Sequence, residues 1–343
     1  MRIYLDHNAT MPLRPEARAA MLAAMDIVGN PSSVHAEGRA AKAIVEQARA
    51  QIAAAVGAGT ADVVFTSGAT EAAALALAGR GLQAAPVEHD AVHAWVDPVL
   101  PVVAGRVQLD DPARSALQLA NSETGILQDL PAGLALSDIT QGFGRVPFAY
   151  DWAGVQMVIL SAHKFGGPKG VGALIIPRGH ELHAQIKGGG QEMGRRSGTE
   201  NVIGIAGMGA AAAAAQADLA AGRWEQIAQF RNILEMAIEA AGKNTIFVGK
   251  DLPRLPNTSC FVTAGWKGET QVMAMDLAGF AVSAGSACSS GKVKQSRVLR
   301  ALGLDDDAAA SALRVSLGLE TTQDQVLRFA QAWTEKRARL RAA

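Results

Sequence analysis

Short apolar runs alternate with longer segments of helical spacing along most of this chain, and no other feature constrains the fold as much. Ile3-Tyr4-Leu5, Val63-Val64-Phe65, Val155 to Leu160 and Val171 to Ile176 read as strands, the last closed by Pro177. Ala36 to Val56 carries Ile44, Ala48, Ile52 and Val56 at helical spacing, and Ala72 to Ala78 is a second helix. Two longer helices follow, Ile203 to Leu219 and Trp224 to Ala241. Strands separated by helices predict an α/β fold, a mostly parallel sheet with helices on both faces. Beyond Gly242 the strands shorten (Ile246 to Val248, Cys260 to Val262, Leu313 to Ser316). A final helix runs from Thr322 to Leu340, with Thr321 or Thr322 as its cap. The predicted organisation is a large domain over 13–242 and a smaller α+β domain made of 1–12 and 243–343.

Charge narrows the function classes. Thirty-two basic residues balance thirty-two acidic ones, so no general attraction draws the chain to nucleic acid or anionic lipid. No apolar run reaches the roughly 18 residues of a membrane-spanning helix, and the opening Met1 to His7 has no apolar segment of a secretory leader. A cytoplasmic protein is expected. Its two cysteines, Cys260 and Cys288, cannot form a disulfide framework or a four-thiolate zinc site, and they suit a reducing compartment. His7, His35, His93, His180 and His183 make no metal-spaced set, so no metal site is expected. The basic tail Lys336 to Arg341 reads as a solvated helix end, with a docking surface as the alternative.

The strongest local signal is Ser161-Ala162-His163-Lys164, followed by Phe165-Gly166-Gly167-Pro168-Lys169-Gly170. A lysine just past a buried strand and before a glycine-rich turn is short of solvent. Burial lowers a lysine's pKa and makes its amine nucleophilic toward aldehydes. A lone lysine in such a turn is ordinarily a surface residue; its company changes that. Asp138-Ile139-Thr140-Gln141 ends an apolar stretch, where a carboxylate can keep a pyridine nitrogen protonated. Ser67-Gly68-Ala69-Thr70-Glu71 turns from a strand into a helix and offers amides and hydroxyls to a phosphate. Aldehyde-trapping lysine, acidic partner and phosphate cradle together describe the anchors of pyridoxal 5'-phosphate.

These motifs, with others in the same order, resemble the cysteine desulfurases, which belong to the class V branch of the fold-type I pyridoxal-phosphate transferases. Tyr4 to Thr10, Gly29 to Ser33 with His35, Phe65 to Glu71, Glu88 to Val92 and Asn121 to Gly125 carry the resemblance. Asp138 to Gln141, the Lys164 motif, Arg196 to Thr199, Gly285 to Cys288 and Arg314 to Gly318 complete it, over nearly the whole chain. The resemblance implies that Lys164 holds the cofactor covalently, that His89 stacks on its ring and moves protons, and that Asp138 pairs with the ring nitrogen. Gln141 and Ser122 would reach the phenolic oxygen. Ala69, Thr70, Ser161 and His163 would bind the phosphate, and Thr199 would be lent to the phosphate of the other subunit in a homodimer. Asn8 and Arg314 would hold the carboxylate of L-cysteine.

Cys288 would be the nucleophile that takes sulfur as a persulfide and passes it to an acceptor protein, as in iron–sulfur cluster assembly. Lys292 and Lys294 lie just beyond it and could favour the thiolate. Cys260, in the apolar run Cys260-Phe261-Val262, reads as structural. The chain departs from the family pattern at Ser122, where an asparagine is usual, and at Ala162, where a glycine is usual. It is also shortened between Thr70 and Asp138. A selenocysteine lyase or an aminotransferase would share the cofactor anchors, although an aminotransferase needs no thiol. A non-catalytic sulfur-transfer scaffold would not need the set of Lys164, Asp138, His89, Cys288 and Arg314.

Overall fold

The computed structural model describes residues 2–241, 245–285 and 295–342. Its larger sheet runs, in spatial order, Ala61–Thr66, Gly172–Pro177, Met157–Ser161 and Leu136–Asp138. Past Leu136 it continues as single parallel bridges, Ala116 to Leu136, Gln83 to Ser115 and Gln83 to Asp97. Gly172–Pro177 is antiparallel to both neighbours, while Leu136–Asp138 and Met157–Ser161 are parallel. That one reversal follows from the short link through Ala162 to Val171, since a parallel return needs a crossover of a dozen residues or more.

The strands are buried on both faces, which is why they read as unbroken apolar runs. Val158 and Leu160 point into one core, and Met157 and Ile159 into the other. Helices Pro15–Met25, Ala36–Ala55 and Val202–Ala220 cover the first face. Glycines bring them close: a Cβ on Gly209 would sit 2.7 Å from Ala48 Cα, and one on Gly207 2.7 Å from Met21 Cγ. Val202–Ala220 is long and apolar enough to cross a membrane. Its inward residues Ile205, Met208, Ala211 and Ala212 instead pack in the sheet's core.

The second face is more thinly covered. Helix Ala69–Leu77 lies on it. Between Ala78 and Ala135 the described structure is a four-residue helix, Asp90–His93, a 3-10 turn and a two-stranded hairpin. This is where the sequence looked abbreviated.

The smaller sheet orders Ser283–Ala284, Ala312–Ser316, Thr258–Thr263 and Thr245–Phe247, all antiparallel. Phe247, Phe261, Trp266, Phe280, Phe329 and Trp333 fill its core. The N-terminal strand Ile3–Tyr4 joins this unit by pairing in parallel with Phe280–Ala281. Gly242, where the boundary between the two domains is expected, lies outside the described residues. Helix Arg223–Ala240 packs on the C-terminal helix Gln323–Ala342 and sends Trp224, Ile227, Leu234 and Ile238 into the smaller unit's core. Its amphipathic pattern gave no sign of which core it would choose.

Candidate active site

Three strands of the larger sheet end at one place. Thr66, Asp138 and Ser161 are their last residues, and the crevice beyond the carboxyl ends of such strands is where open α/β sheets bind ligands. There a cavity of about 640 Å³ is closed on its other side by Asn8 to Thr10 and by Arg314 from the smaller unit. Ala69, Thr70, His89, Ser122, Asp138, Gln141, Ser161, His163 and Lys164 all line it.

Lys164 ends a 3-10 turn that begins directly after the buried strand Met157–Ser161. Its Nζ donates to the carbonyl of Asn8 at 2.7 Å and of Ala9 at 2.9 Å. Ala162, where the family pattern has glycine, is fully buried, and a Cβ on Gly167 would come within 2.8 Å of its methyl. The substitution is accommodated because Gly167 yields the space. Burial, then the charges of Lys164 and Lys169, push His163 down to about 4, so its ring is neutral at physiological pH. Its Nδ1 is buried without a partner. His89 caps the short helix Asp90–His93, with Nδ1 accepting from the Ala91 amide at 3.1 Å. That bond leaves Nε2 as the nitrogen that carries the proton.

Asp138 is buried, and its Oδ1 accepts from the Thr140 amide at 2.9 Å. Gln141 donates from Nε2 to the Asn8 carbonyl at 2.9 Å, while its Oε1 accepts from Arg145 at 2.6 Å. Burial and the charge of Arg314 lower the Arg145 guanidinium to about 9, still a cation at neutral pH. Arg145 escaped the sequence reading. A lone arginine in Gly142-Phe143-Gly144-Arg145-Val146, one helical turn after Gln141, was the available signal.

Asn8 differs from what the resemblance implied. Its Nδ2 donates to Ser122 O at 3.2 Å and Thr258 Oγ1 at 2.9 Å, and its Oδ1 accepts from Arg145 and Asn257, each at 3.1 Å. All four positions of the amide are taken, so its side chain has none left for a substrate carboxylate. It ties the two units together at the cavity wall. Arg314 keeps free hydrogens: Nη1 donates to Ser122 O at 3.0 Å, Nη2 to Asp6 Oδ1 at 2.8 Å, and Nε is buried without a partner.

The first-turn amides of helix Ala69–Leu77 face the cavity through Ala69 and Thr70. The Ser67 amide is not part of that cradle, because it donates to Glu71 Oε2 at 2.8 Å, and Glu71 in turn binds Arg196. Thr199 lies outside the main cavity, in a small adjoining pocket with Arg196. Cys288 lies outside the described residues. Cys260 is fully buried, and burial pushes its thiol up to about 12, which makes it inert.

The sequence profile of the aminotransferase class-V family matches residues 3–93 and 112–329, a span that includes Cys288. The gap falls where the second face of the sheet is thinly covered. A cysteine desulfurase of Frankia sp. (strain EuIK1) is 38% identical over 375 residues, covering 94% of this chain and 88% of that protein. One of Cereibacter sphaeroides is 37% identical over 366 residues, covering 96% and 94%. Both aligned spans exceed the 343 residues of this chain, so segments of those relatives have no counterpart here. Among solved structures, the NifS-like protein of Rickettsia africae ESF-5 superposes with a TM-score of 0.90 at 31% identity, covering 98% of this chain and all of that one. The chain therefore belongs to the class-V aminotransferase family and, within it, to the cysteine desulfurases.

Proposed function

We propose that this protein takes sulfur from L-cysteine, releases L-alanine, and carries the sulfur as a persulfide on Cys288 to an acceptor protein, as in iron–sulfur cluster assembly. The observation that carries this is the meeting of Lys164, Asp138 and His89 in one cavity with Arg314 of the smaller unit. The residues fit pyridoxal 5'-phosphate. Buried polar atoms without a protein partner, His163 Nδ1, Thr140 Oγ1 and Thr10 Oγ1, belong to residues that line the cavity. Such atoms need a ligand or water. Lys164 would hold the cofactor, Asp138 its ring nitrogen, Gln141 and Ser122 its phenolic oxygen. The Ala69 and Thr70 amides with Ser161 and His163 would hold its phosphate.

Bound there, the cofactor supplies an electron sink for the substrate's α-carbon. Everything else falls to the chain. Arg314, held by Asp6, receives the substrate carboxylate. The freed Lys164 Nζ takes the α-proton and can return it, steadied by the Asn8 and Ala9 carbonyls. His89, with its proton at Nε2, is the proton carrier beside the substrate thiol. The Cys288 thiolate bonds to the substrate sulfur as the carbon–sulfur bond breaks, and that bond's electron pair stays on carbon and is protonated. In sum, cysteine and the Cys288 thiol become alanine and the Cys288 persulfide.

The reading includes a homodimer in a reducing cytoplasm. Support comes from Thr199, which is displaced from its own cavity, and from a mechanism that needs a free thiol. Alanine and sulfide should appear in equal amounts when the reconstituted protein meets L-cysteine and a thiol reductant. Cys288→Ser should keep the visible absorbance of the cofactor and lose both products. Full turnover by that variant would reject Cys288 as the nucleophile, and transamination of a keto acid in place of alanine release would favour an aminotransferase.

A further inference from the structure

Arg145 is 3% exposed and meets five acceptors. Nη1 donates to Gln141 Oε1 at 2.6 Å, Asn8 Oδ1 at 3.1 Å and Gln141 O at 3.2 Å. Nη2 donates to Lys164 O at 3.0 Å and His7 O at 3.3 Å. None of these is a carboxylate, and Nε has no partner. Burying a cation among dipoles alone costs several kcal/mol more than burying an apolar side chain of the same volume. A methionine would fill the space beside Trp224, whose ring lies 5.9 Å from the guanidinium. Packing therefore does not account for the charge.

The acceptors it has chosen are informative. One is the backbone of Lys164, and another is the side-chain oxygen of Gln141. With Oε1 turned to the guanidinium, the Gln141 amide has only its NH2 end to offer the cavity, and one of those hydrogens is spent on Asn8 O. A cation bonded to the oxygen of an amide polarises its N–H and strengthens it as a donor.

We propose that Arg145 is a positioning residue that acts through Gln141, fixing its amide as a polarised donor toward the phenolic oxygen of the lysine-linked cofactor. This rests on Lys164 and Gln141 being cofactor ligands, as proposed above. The Arg145 charge favours loss of the proton shared between the cofactor's oxygen and the lysine nitrogen. Removing the charge makes that loss harder.

The test is to load wild type, Arg145→Met, Arg145→Lys, Gln141→Met and the double variant Arg145→Met/Gln141→Met with pyridoxal 5'-phosphate. The visible band of the lysine-linked cofactor is then titrated between about pH 6 and about pH 9. Arg145→Met should raise the midpoint by about one pH unit, and Arg145→Lys, which keeps the charge, by less than half as much. Gln141→Met should reproduce the rise, and the double variant should add nothing to it, because both changes cut the same relay. If Arg145→Met does not fold, Gln141→Met and Arg145→Lys decide the matter by the same midpoints. Variants that form the band with wild-type midpoints would overturn the relay, and so would a double variant whose shift is the sum of the single ones. A wild-type protein that forms no lysine-linked band would instead overturn the cofactor reading beneath it.

Discussion

Asp6 Oδ1 accepts from Arg314 Nη2 at 2.8 Å, and its other oxygen accepts from Ser283 Oγ at 2.8 Å. The carboxylate thus fixes the arginine that would meet the substrate and ties it to the strand leading toward Cys288. Only the fork's orientation depends on Asp6; the charge is Arg314's own. Asp6→Asn should raise KM for L-cysteine about tenfold, a loss of about 1.4 kcal/mol in binding. The cofactor's visible spectrum should not change. Steady-state kinetics beside an absorbance scan checks both, and a lost spectrum with unchanged KM would place Asp6 on the cofactor instead.

Glu88 precedes His89 and is buried, with Oε1 accepting from the Gln118 amide at 2.8 Å and Oε2 unpartnered. Burial pushes its carboxyl up to about 8, with the nearby Asp138 adding to the rise. Because the folded value lies above the ordinary 4.5, the native state prefers the protonated acid. That preference is fully present below about pH 4.5 and is lost as pH rises through about 8. Glu88→Gln keeps the shape without the charge. Its melting temperature should match wild type near pH 5 and exceed it near pH 8.5, by an amount on the order of a few kcal/mol in stability.

A methyl group on Gly318 would lie inside the van der Waals envelope of the buried His7 ring. His7 packs edge-on against Tyr4 at 5.0 Å and has little room to retreat. Gly318→Ala should cost about 2 kcal/mol or more in denaturant unfolding. Adding His7→Ala should recover part of it. Equal stabilities for wild type and Gly318→Ala would show that the ring moves freely.

Glu192 sits in left-handed backbone at φ 47°. Its carboxylate accepts from Arg49 through both oxygens at 2.9 Å and from the Phe65 amide at 2.9 Å. The pair clamps the end of strand Ala61–Thr66 to the segment that carries Arg196 and Thr199. Arg49→Ala strands a buried carboxylate and should cost about 3 kcal/mol or more. Glu192→Ala should be similar, and the double variant should cost much less than the sum. Chemical denaturation of all three measures the coupling.

Much of the site was legible because its residues follow directly on local patterns. Lys164, Asp138 and Ser161 stand at or just past the ends of apolar runs, where a strand meets the crevice. The rest depends on partners distant in sequence. Arg145 and Asn8 are 137 positions apart, and only the folded chain shows that one donates to the other's amide oxygen. The same holds for helix Arg223–Ala240, whose apolar face fits either core until the C-terminal helix is seen against it. The reversed strand Gly172–Pro177 was missed as a reversal because apolar content carries no direction.

Strand Ile3–Tyr4 is paired with Phe280–Ala281. During synthesis, this strand must wait until residues 280 and 281 have left the ribosome before its partner exists. The sheet over Ala61 to Pro177 can assemble long before that. The cavity wall built by Asn8, Ala9 and Thr10 follows directly on that strand, and the carbonyls of Asn8 and Ala9 are the acceptors of Lys164 Nζ. Joining segments so far apart carries a large loop-closure cost, so acquisition of activity should lag behind formation of the larger sheet. Trimming the first few residues should slow that final step more than it weakens the sheet.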